Sequence, residues 1–226
     1  MNDTVYLAVF DCDGTLVDSQ HSIVSSMQDA FVKSGLQPID SDAVRHMVGL
    51  TLLEGIARLA PAESTERHHE IADHYRSAFH QARSLPAHEE PLYDGVKECL
   101  QDIENDNIIL GVATGKGRRG LESTLSRHNI RDRFTVLKTA DDGPGKPHPA
   151  ILLDAIAETG ASPETTVMIG DTVFDMELAK NADVKAIGVS WGYHSPTDLK
   201  HYGADAIVHN YSEVHGALKK LWRNDK

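Results

Sequence analysis

The amino-acid sequence predicts an α/β fold: a doubly wound, mostly parallel sheet with a helical unit inserted into it. Three observations carry this reading. Short, fully apolar runs recur along the chain, helix-like stretches separate them from about residue 94 onward, and the first run stands almost 100 residues from the second. Fully apolar strands alternating with helices belong to parallel sheets covered on both faces.

The first strand is VYLAVF (5–10), inside MNDTVYLAVFDCD. That stretch has acids within a short apolar run and no basic flank, so it reads as a strand and not as a signal peptide. Helical patterns follow in SIVSSMQDAFVKSGL, SDAVRHMVG, LLEGIARLA and ERHHEIADHYRSAFHQAR. Ser41 with Asp42 starts one of these helices; Ser64, after Pro61 and ahead of Glu66 and Arg67, starts another. The proline-containing acidic stretch SLPAHEEPLYDG closes the block. The expected division is therefore an α/β core at 1–17 and 89–226, with an inserted helical domain at 18–88.

Beyond the insertion the alternation is regular. Strands are expected at IILGVAT (108–114), TVLKTA (135–140), TVMIGD (166–171), AIGVSW (186–191) and AIVH (206–209). Helices are expected at 95–105, 120–128, 150–159 and 173–182, and KKLWRNDK ends a last one. There are no internal repeats or low-complexity tracts.

The bulk composition narrows the function. Forty per cent of the 226 residues are apolar, enough for a substantial core, and no run approaches a membrane span of ~20 residues. A net charge of −12 repels nucleic acid and anionic lipid, so a phosphorylated ligand has to be captured by local cations or a metal. The two cysteines, Cys12 and Cys99, have no paired spacing, which suits a reducing cytoplasm. Cys12 lies between two aspartates that oppose a thiolate, and reads as a buried small hydrophobe. The histidines of the insertion (His46, His68, His69, His74, His80 and His88) lack convergent spacing and read as solvated helix surface.

Chemistry concentrates at the strand tips. In Asp11-Cys12-Asp13-Gly14-Thr15, side chains two apart in an extended chain point the same way. Asp11 and Asp13 thus form a carboxylate pair where open α/β sheets bind ligands. An Asx turn explains one such aspartate but not two, because paired like charges in a crevice are costly. Oxygen ligands at this spacing suit Mg²⁺ bridging to a phosphate. A second cluster, GDTVFDM, puts Asp171 at another strand end and Asp175 one helical turn later. Thr114 ends a third strand and Gly115 starts the loop after it, offering a hydroxyl and an N–H at a helix start. Lys146 sits in a loop stiffened by Pro144, Pro147 and Pro149. The loop GKGRRG (115–120) also satisfies G-x-G-x-x-G, with Asp141 at the distance of a ribose contact, so a dinucleotide site stays open on the residues alone.

Together, D-C-D-G-T (11–15), A-T-G-K (113–116), G-K-P-H-P (145–149) and G-D-T-V-F-D-M (170–176) resemble, in order and placement, the haloacid dehalogenase superfamily of phosphohydrolases. The helical region resembles the cap of the subfamily that includes phosphoglycolate phosphatase, and AIGVSWGYH (186–194) resembles a stretch of that branch. The resemblance implies that Asp11 is the nucleophile and Asp13 the general acid and base. It implies that Asp11, the Asp13 backbone carbonyl and Asp171 hold Mg²⁺, that Asp175 supports them and orients Lys146, and that Thr114, Gly115 and Lys146 bind the phosphoryl oxygens. GKGRRG then belongs to a substrate phosphate. One departure is Asp183, where the family usually has a glycine past a helix end; a stability penalty is expected there.

The expected function is a Mg²⁺-dependent phosphatase of small phosphorylated metabolites, 2-phosphoglycolate being the best single guess, in a cytoplasmic monomer or homodimer with no nucleic-acid or membrane partner. A phosphosugar mutase using the same residues is the alternative, with Arg45, His46, Thr51 and Glu54 as discriminating residues of the insertion. An NAD-binding oxidoreductase ranks lower, and a non-catalytic interaction module lower still.

Overall fold

The structure, a computed structural model, describes residues 4–84 and 90–223. His88, most of the 84–89 part of the acidic linker and the last three residues lie outside the described residues. Six strands form one sheet in the order β3-β2-β1-β4-β5-β6. They are β1 (Leu7–Phe10), β2 (Ile109–Ala113), β3 (Val136–Lys138), β4 (Thr166–Gly170), β5 (Lys185–Val189) and β6 (Ala206–Val208). Every pairing is parallel, so the expected mostly parallel sheet is parallel throughout its described strands. All six coincide with the apolar runs of the sequence, most of them trimmed at their ends, while β5 begins one residue earlier than expected, at Lys185.

Alternation along β1 divides the core. Ala8 and Phe10 face one layer, with α5 (Val96–Asn105), α6 (Arg118–Arg127) and α10 (Tyr211–Arg223) packed over it through Leu100, Ile103, Leu121, Leu125, Val214 and Leu218. Leu7 and Val9 face the other, covered by α7 (Ala150–Thr159), α8 (Val173–Asn181) and α9 (Pro196–Tyr202) through Ile151, Leu152, Met176, Leu178 and Leu199. Period-two alternation in a strand buried on both faces produces this three-layer arrangement.

Between β1 and β2 the chain forms α1 (Gln20–Lys33), α2 (Ser41–Arg45), α3 (Leu52–Leu59) and α4 (Thr65–Ser84). These helices own a separate apolar cluster that includes Ile23, Met27, Phe31, Val44, Ile56 and Ile71, against which Tyr193 also packs. Helix α2 is capped one residue earlier than expected: Asp40, not Ser41, accepts the Asp42 and Ala43 amides, each at 3.0 Å. Helix α9 is absent from the sequence reading, although Pro196 follows a capping Ser195 that accepts the Asp198 amide.

Asp183 takes the left-handed conformation past α8, with φ 55°. A non-glycine residue there costs about 1 kcal/mol. No helix among the described residues is long and apolar enough to cross a membrane.

Candidate active site

The sheet order reverses direction between β1 and β4, and at such a switch point the loops leaving adjacent strands diverge and open a crevice. Phe10 is in register with Val112 of β2 and Ile169 of β4, so the tips of these three strands are level. Asp11, Thr114 and Asp171 are the first residues beyond β1, β2 and β4, and all three are buried. The Asp11 amide donates to the Ile169 carbonyl at 2.9 Å, which fixes the first aspartate against the fourth strand.

Lys146 reaches this point from the loop between β3 and α7 and is fully buried. Its ammonium pairs with Asp11 at 3.0 Å and also donates to Asp175. Asp175 is in turn held by a capping box on α8: its carboxylate accepts the Thr172 amide at 3.0 Å and the Thr172 hydroxyl at 2.7 Å. Burial alone lowers a lysine pKa, but the Asp11 and Asp175 carboxylates offset it and hold the Lys146 ammonium above its ordinary range. Asp171 accepts the Thr15 hydroxyl at 2.7 Å and the Tyr193 amide at 2.9 Å.

Gly14 makes the close packing here possible. It has φ 82°, and a Cβ there would lie 2.3 Å from an Asp171 carboxylate oxygen. The turn after Asp13 is anchored from the far side by Tyr211 and Trp191, which donate to the Thr15 carbonyl at 2.6 and 3.2 Å.

Asp13 points elsewhere. Its carboxylate accepts two hydrogen bonds from Lys116, at 2.8 and 2.9 Å, and one from the Ser19 hydroxyl at 2.7 Å. Lys116 lies in the A-T-G-K segment, yet sequence reasoning gave it no role; its position two residues past Thr114 was the available signal. Thr15 and Tyr193 were also missed, because they act through Asp171, distant from them in the chain; Ser19 and Thr172 were missed although their partners Asp13 and Asp175 are only six and three residues away.

One oxygen each from Asp11, Asp171 and Asp175 lie within 4.8 Å of one another, the only such group of metal-binding side chains among the described residues. A single buried lysine, Lys146, pairs with two of these three carboxylates, Asp11 and Asp175. Burial pushes the Asp11 carboxyl up to about 6 despite Lys146, with Asp175 adding to the rise. Asp171 is driven well above its ordinary range, first by burial and then by Asp175 and Asp11. An oxygen-only donor set with uncompensated negative charge fits a hard divalent cation such as Mg²⁺. All three carboxylates have partners within the chain: Asp11 pairs with Lys146 and accepts the Cys12 amide, Asp171 accepts from Thr15 and Tyr193, and Asp175 accepts from Lys146 and Thr172. Among the described residues the insertion's histidines form no such group: His68 bonds the Ala60 carbonyl at 2.9 Å and His74 the Ser34 hydroxyl at 3.1 Å.

A cavity of about 900 Å³ opens above Asp11 and Asp13, between the strand tips and α1–α4. Thr114, Gly115 and Lys116 line one side, and Gly49, Leu50, Thr51, Tyr75 and Phe79 the other. A Cβ on Gly115 would fall 2.4 Å from the Leu50 carbonyl oxygen, so the helical layer sits directly on the second strand's tip. Of the four insertion residues singled out from sequence, Thr51 alone lines the cavity. Glu54 caps α3 through Thr51, Arg45 turns to Asp42, and the His46 ring lies 5.6 Å from that of His194.

The glycine loop 115–120 leads into α6, but Asp141 accepts the Arg118 amide at 2.7 Å. The helix start that a pyrophosphate would use is thus occupied by this chain's own carboxylate. Cys12 is fully buried and its thiol is pushed well above the ordinary range, first by burial and then by Asp13.

The model of the haloacid dehalogenase-like hydrolase family matches residues 8–189. The chain is 35% identical to the "probable phosphatase IndB" of Dickeya dadantii, over 95% of this chain and 94% of that one. It is 33% identical to the N-acetylmuramic acid 6-phosphate phosphatase of Pseudomonas aeruginosa, covering 94% of each. It is 29% identical to a phosphoglycolate phosphatase of Agrobacterium fabrum, over 94% of this chain and 91% of that one. By the family match, by relatives above 30% identity along nearly the whole chain and by its sheet order, this chain belongs to the haloacid dehalogenase-like hydrolases.

Proposed function

We propose that this protein is a Mg²⁺-dependent phosphatase that hydrolyses small phosphomonoesters through an aspartyl-phosphate on Asp11. The observation that carries the reading is the Asp11 carboxylate at the floor of the cavity, held against Lys146 beside Asp171, with Asp13 two residues on and also lining the cavity. The helical layer α1–α4, corresponding to the expected unit at 18–88, acts as the cap that closes over the substrate.

In the proposed reaction an Asp11 oxygen attacks phosphorus and the bond from phosphorus to the ester oxygen breaks. Asp13 donates a proton to the departing oxygen. The resulting carboxylate then takes a proton from a water molecule, which attacks phosphorus; the bond to Asp11 breaks and phosphate leaves. The Thr114 hydroxyl, Gly115 amide and Lys146 ammonium hold the phosphoryl oxygens as charge spreads over them. Asp11, Asp171 and the Asp13 carbonyl hold Mg²⁺, which supplies charge neutralisation at the phosphoryl group.

Two of the relatives are named for phosphomonoesters of organic acids, which supports phosphorylated acids as the substrate class, with 2-phosphoglycolate its smallest candidate. Phosphate release from a panel of such compounds with Mg²⁺ tests this. Release from phosphorylated acids supports the phosphatase; an isomerised sugar phosphate formed without free phosphate would refute it in favour of the mutase.

Metal binding has its own expected signature. With Asp11 raised to about 6, protons compete with the ion below that pH. Mg²⁺ raises the melting temperature more at about pH 7.5 than at about pH 5.5. A shift that is equal at both pH values, or absent, counts against Asp11 as a ligand.

A further inference from the structure

The cavity is far larger than a phosphoryl group with a two-carbon leaving group requires, and its outer part carries a charge pattern the reaction does not use. Arg119, Ser123 and Arg127 all line it. At i, i+4 and i+8 they share one face of α6. Helix α4 contributes Arg76, His80 and Arg83 to the same lining. The acid on α6, Glu122, is drawn off to Arg131 at 2.7 Å. The acidic residues in the cavity lining are Asp11 and Asp13 on the floor and Asp141, which caps α6.

Not all of these cations are equally committed. Arg83 pairs with Glu90 at 3.4 Å and bonds the Thr124 hydroxyl at 3.1 Å. Arg76 has one exposed partner, Asp73 at 2.7 Å, and an exposed pair of this kind stabilises by only about 0–1 kcal/mol. Arg119 and Arg127 have no ion pair among the described residues. Two helices of a protein with net charge −12 therefore both bring arginines to the lining of one cavity. That arrangement is repulsive when the cavity holds only water, and favourable when an anion lies among them.

Position sets the size of that anion's carrier. Helix α6 begins beside the proposed phosphoryl site, and at 1.5 Å per residue Arg127 lies about 12 Å beyond Arg119 along its axis. A two-carbon acid ends too close to phosphorus to use this row. A sugar-sized leaving group extends along it.

Resting on the phosphatase reading, we propose that Arg119 and Arg127, with Arg76 in the same cavity lining, form a second anion subsite. The enzyme then selects phosphomonoesters whose leaving group is sugar-sized and carries a carboxylate or second phosphate at its far end. Arginine forks suit either group bidentately.

The test compares matched pairs: 6-phosphogluconate with sorbitol 6-phosphate, and glucose 1,6-bisphosphate with glucose 6-phosphate. The anionic member of at least one pair is expected to have a kcat/KM about tenfold higher at low salt, and which pair shows it identifies the group. The preference shrinks as ionic strength rises. The double variant Arg119→Ala/Arg127→Ala brings the ratio close to one, whereas general damage to the fold would lower both members and leave the ratio intact.

Equal kcat/KM within both pairs in the wild type overturns the subsite and leaves the phosphatase standing. If no phosphomonoester is turned over, the phosphatase reading falls, and calorimetry on the metal-free wild type decides the subsite. Tighter binding of 6-phosphogluconate than of sorbitol 6-phosphate, lost in the double variant, sustains it; equal affinity overturns it.

Discussion

Asp11→Asn lowers phosphatase turnover by about 10⁴-fold or more, the scale of losing a covalent nucleophile. The carboxamide keeps the size of the side chain but cannot form the acyl phosphate, so substrate binding is retained while turnover is not. Steady-state release of nitrophenol from p-nitrophenyl phosphate measures this, and substantial residual turnover excludes Asp11 as the nucleophile.

The same substitution has a thermodynamic counterpart. In the metal-free protein Asp11 is raised from 3.8 to about 6, chiefly by burial. Between these values the folded state binds more protons than the unfolded one, so stability falls as pH rises through that window. Asn carries no charge and removes this slope. The metal-free variant is expected to melt higher than wild type at about pH 7.5, with the two converging toward about pH 4. A wild-type protein whose metal-free stability rises across this window would contradict the burial argument.

Lys146→Met is the second large effect. Lys146 is completely buried between Asp11 and Asp175, and its removal leaves both carboxylates without their cation. Breaking a buried pair from one side costs about 3–5 kcal/mol, a large share of a typical 5–15 kcal/mol domain stability. Turnover falls by about 10²–10³-fold, as for loss of one preorganised oxyanion donor. Because the lost ammonium had been lowering the Asp11 pKa, that pKa climbs further in the variant. Urea denaturation of the metal-free variant is therefore expected to show a severe deficit at about pH 7.5 that narrows at about pH 5.5, where the stranded carboxylates take up protons. A deficit independent of pH would mean that packing, not charge, is what Lys146 supplies.

Much of this was legible in the chain. Each strand is a short apolar run bounded by turn residues, so the sheet and its parallel sense followed from periodicity. The long gap after VYLAVF located the helical layer. Asp11, Asp171 and Thr114 were legible because strand ends are where such a fold exposes chemistry, and Lys146 because prolines stiffen its loop. Asp183 could be anticipated in a left-handed turn, since aspartate tolerates one and the helix ends there.

What stayed hidden depends on contacts between distant residues. No local pattern announces that Thr15 donates to Asp171, 156 positions away, or that Lys116 bonds Asp13, 103 positions away. The residues of the helical layer that reach the cavity could not be ranked, because the 45–54 stretch mixes Arg45, His46, Thr51 and Glu54 with apolar residues and nothing local tells that Thr51 lines the cavity while Arg45 does not. Arg119 stands within GKGRRG, but the face it shares with Arg127 gains meaning only from the arginines that α4 adds to the same cavity. Helix α9 escaped because its seven residues, about two turns, are too few for periodicity to reveal.

The central claim is that a phosphoryl group is transferred to the Asp11 carboxylate. Asp13→Asn leaves that nucleophile in place but removes the base that clears it, and nitrophenolate leaves without a proton donor. Acid quenching of this variant during reaction with p-nitrophenyl phosphate and Mg²⁺, followed by mass spectrometry of its peptides, reads the outcome directly. One added phosphoryl group on the peptide that contains residue 11, absent when Asp11→Asn is combined with it, is the predicted result. Continued turnover with no phosphorylated peptide, or a phosphoryl group on any other residue, would contradict the account.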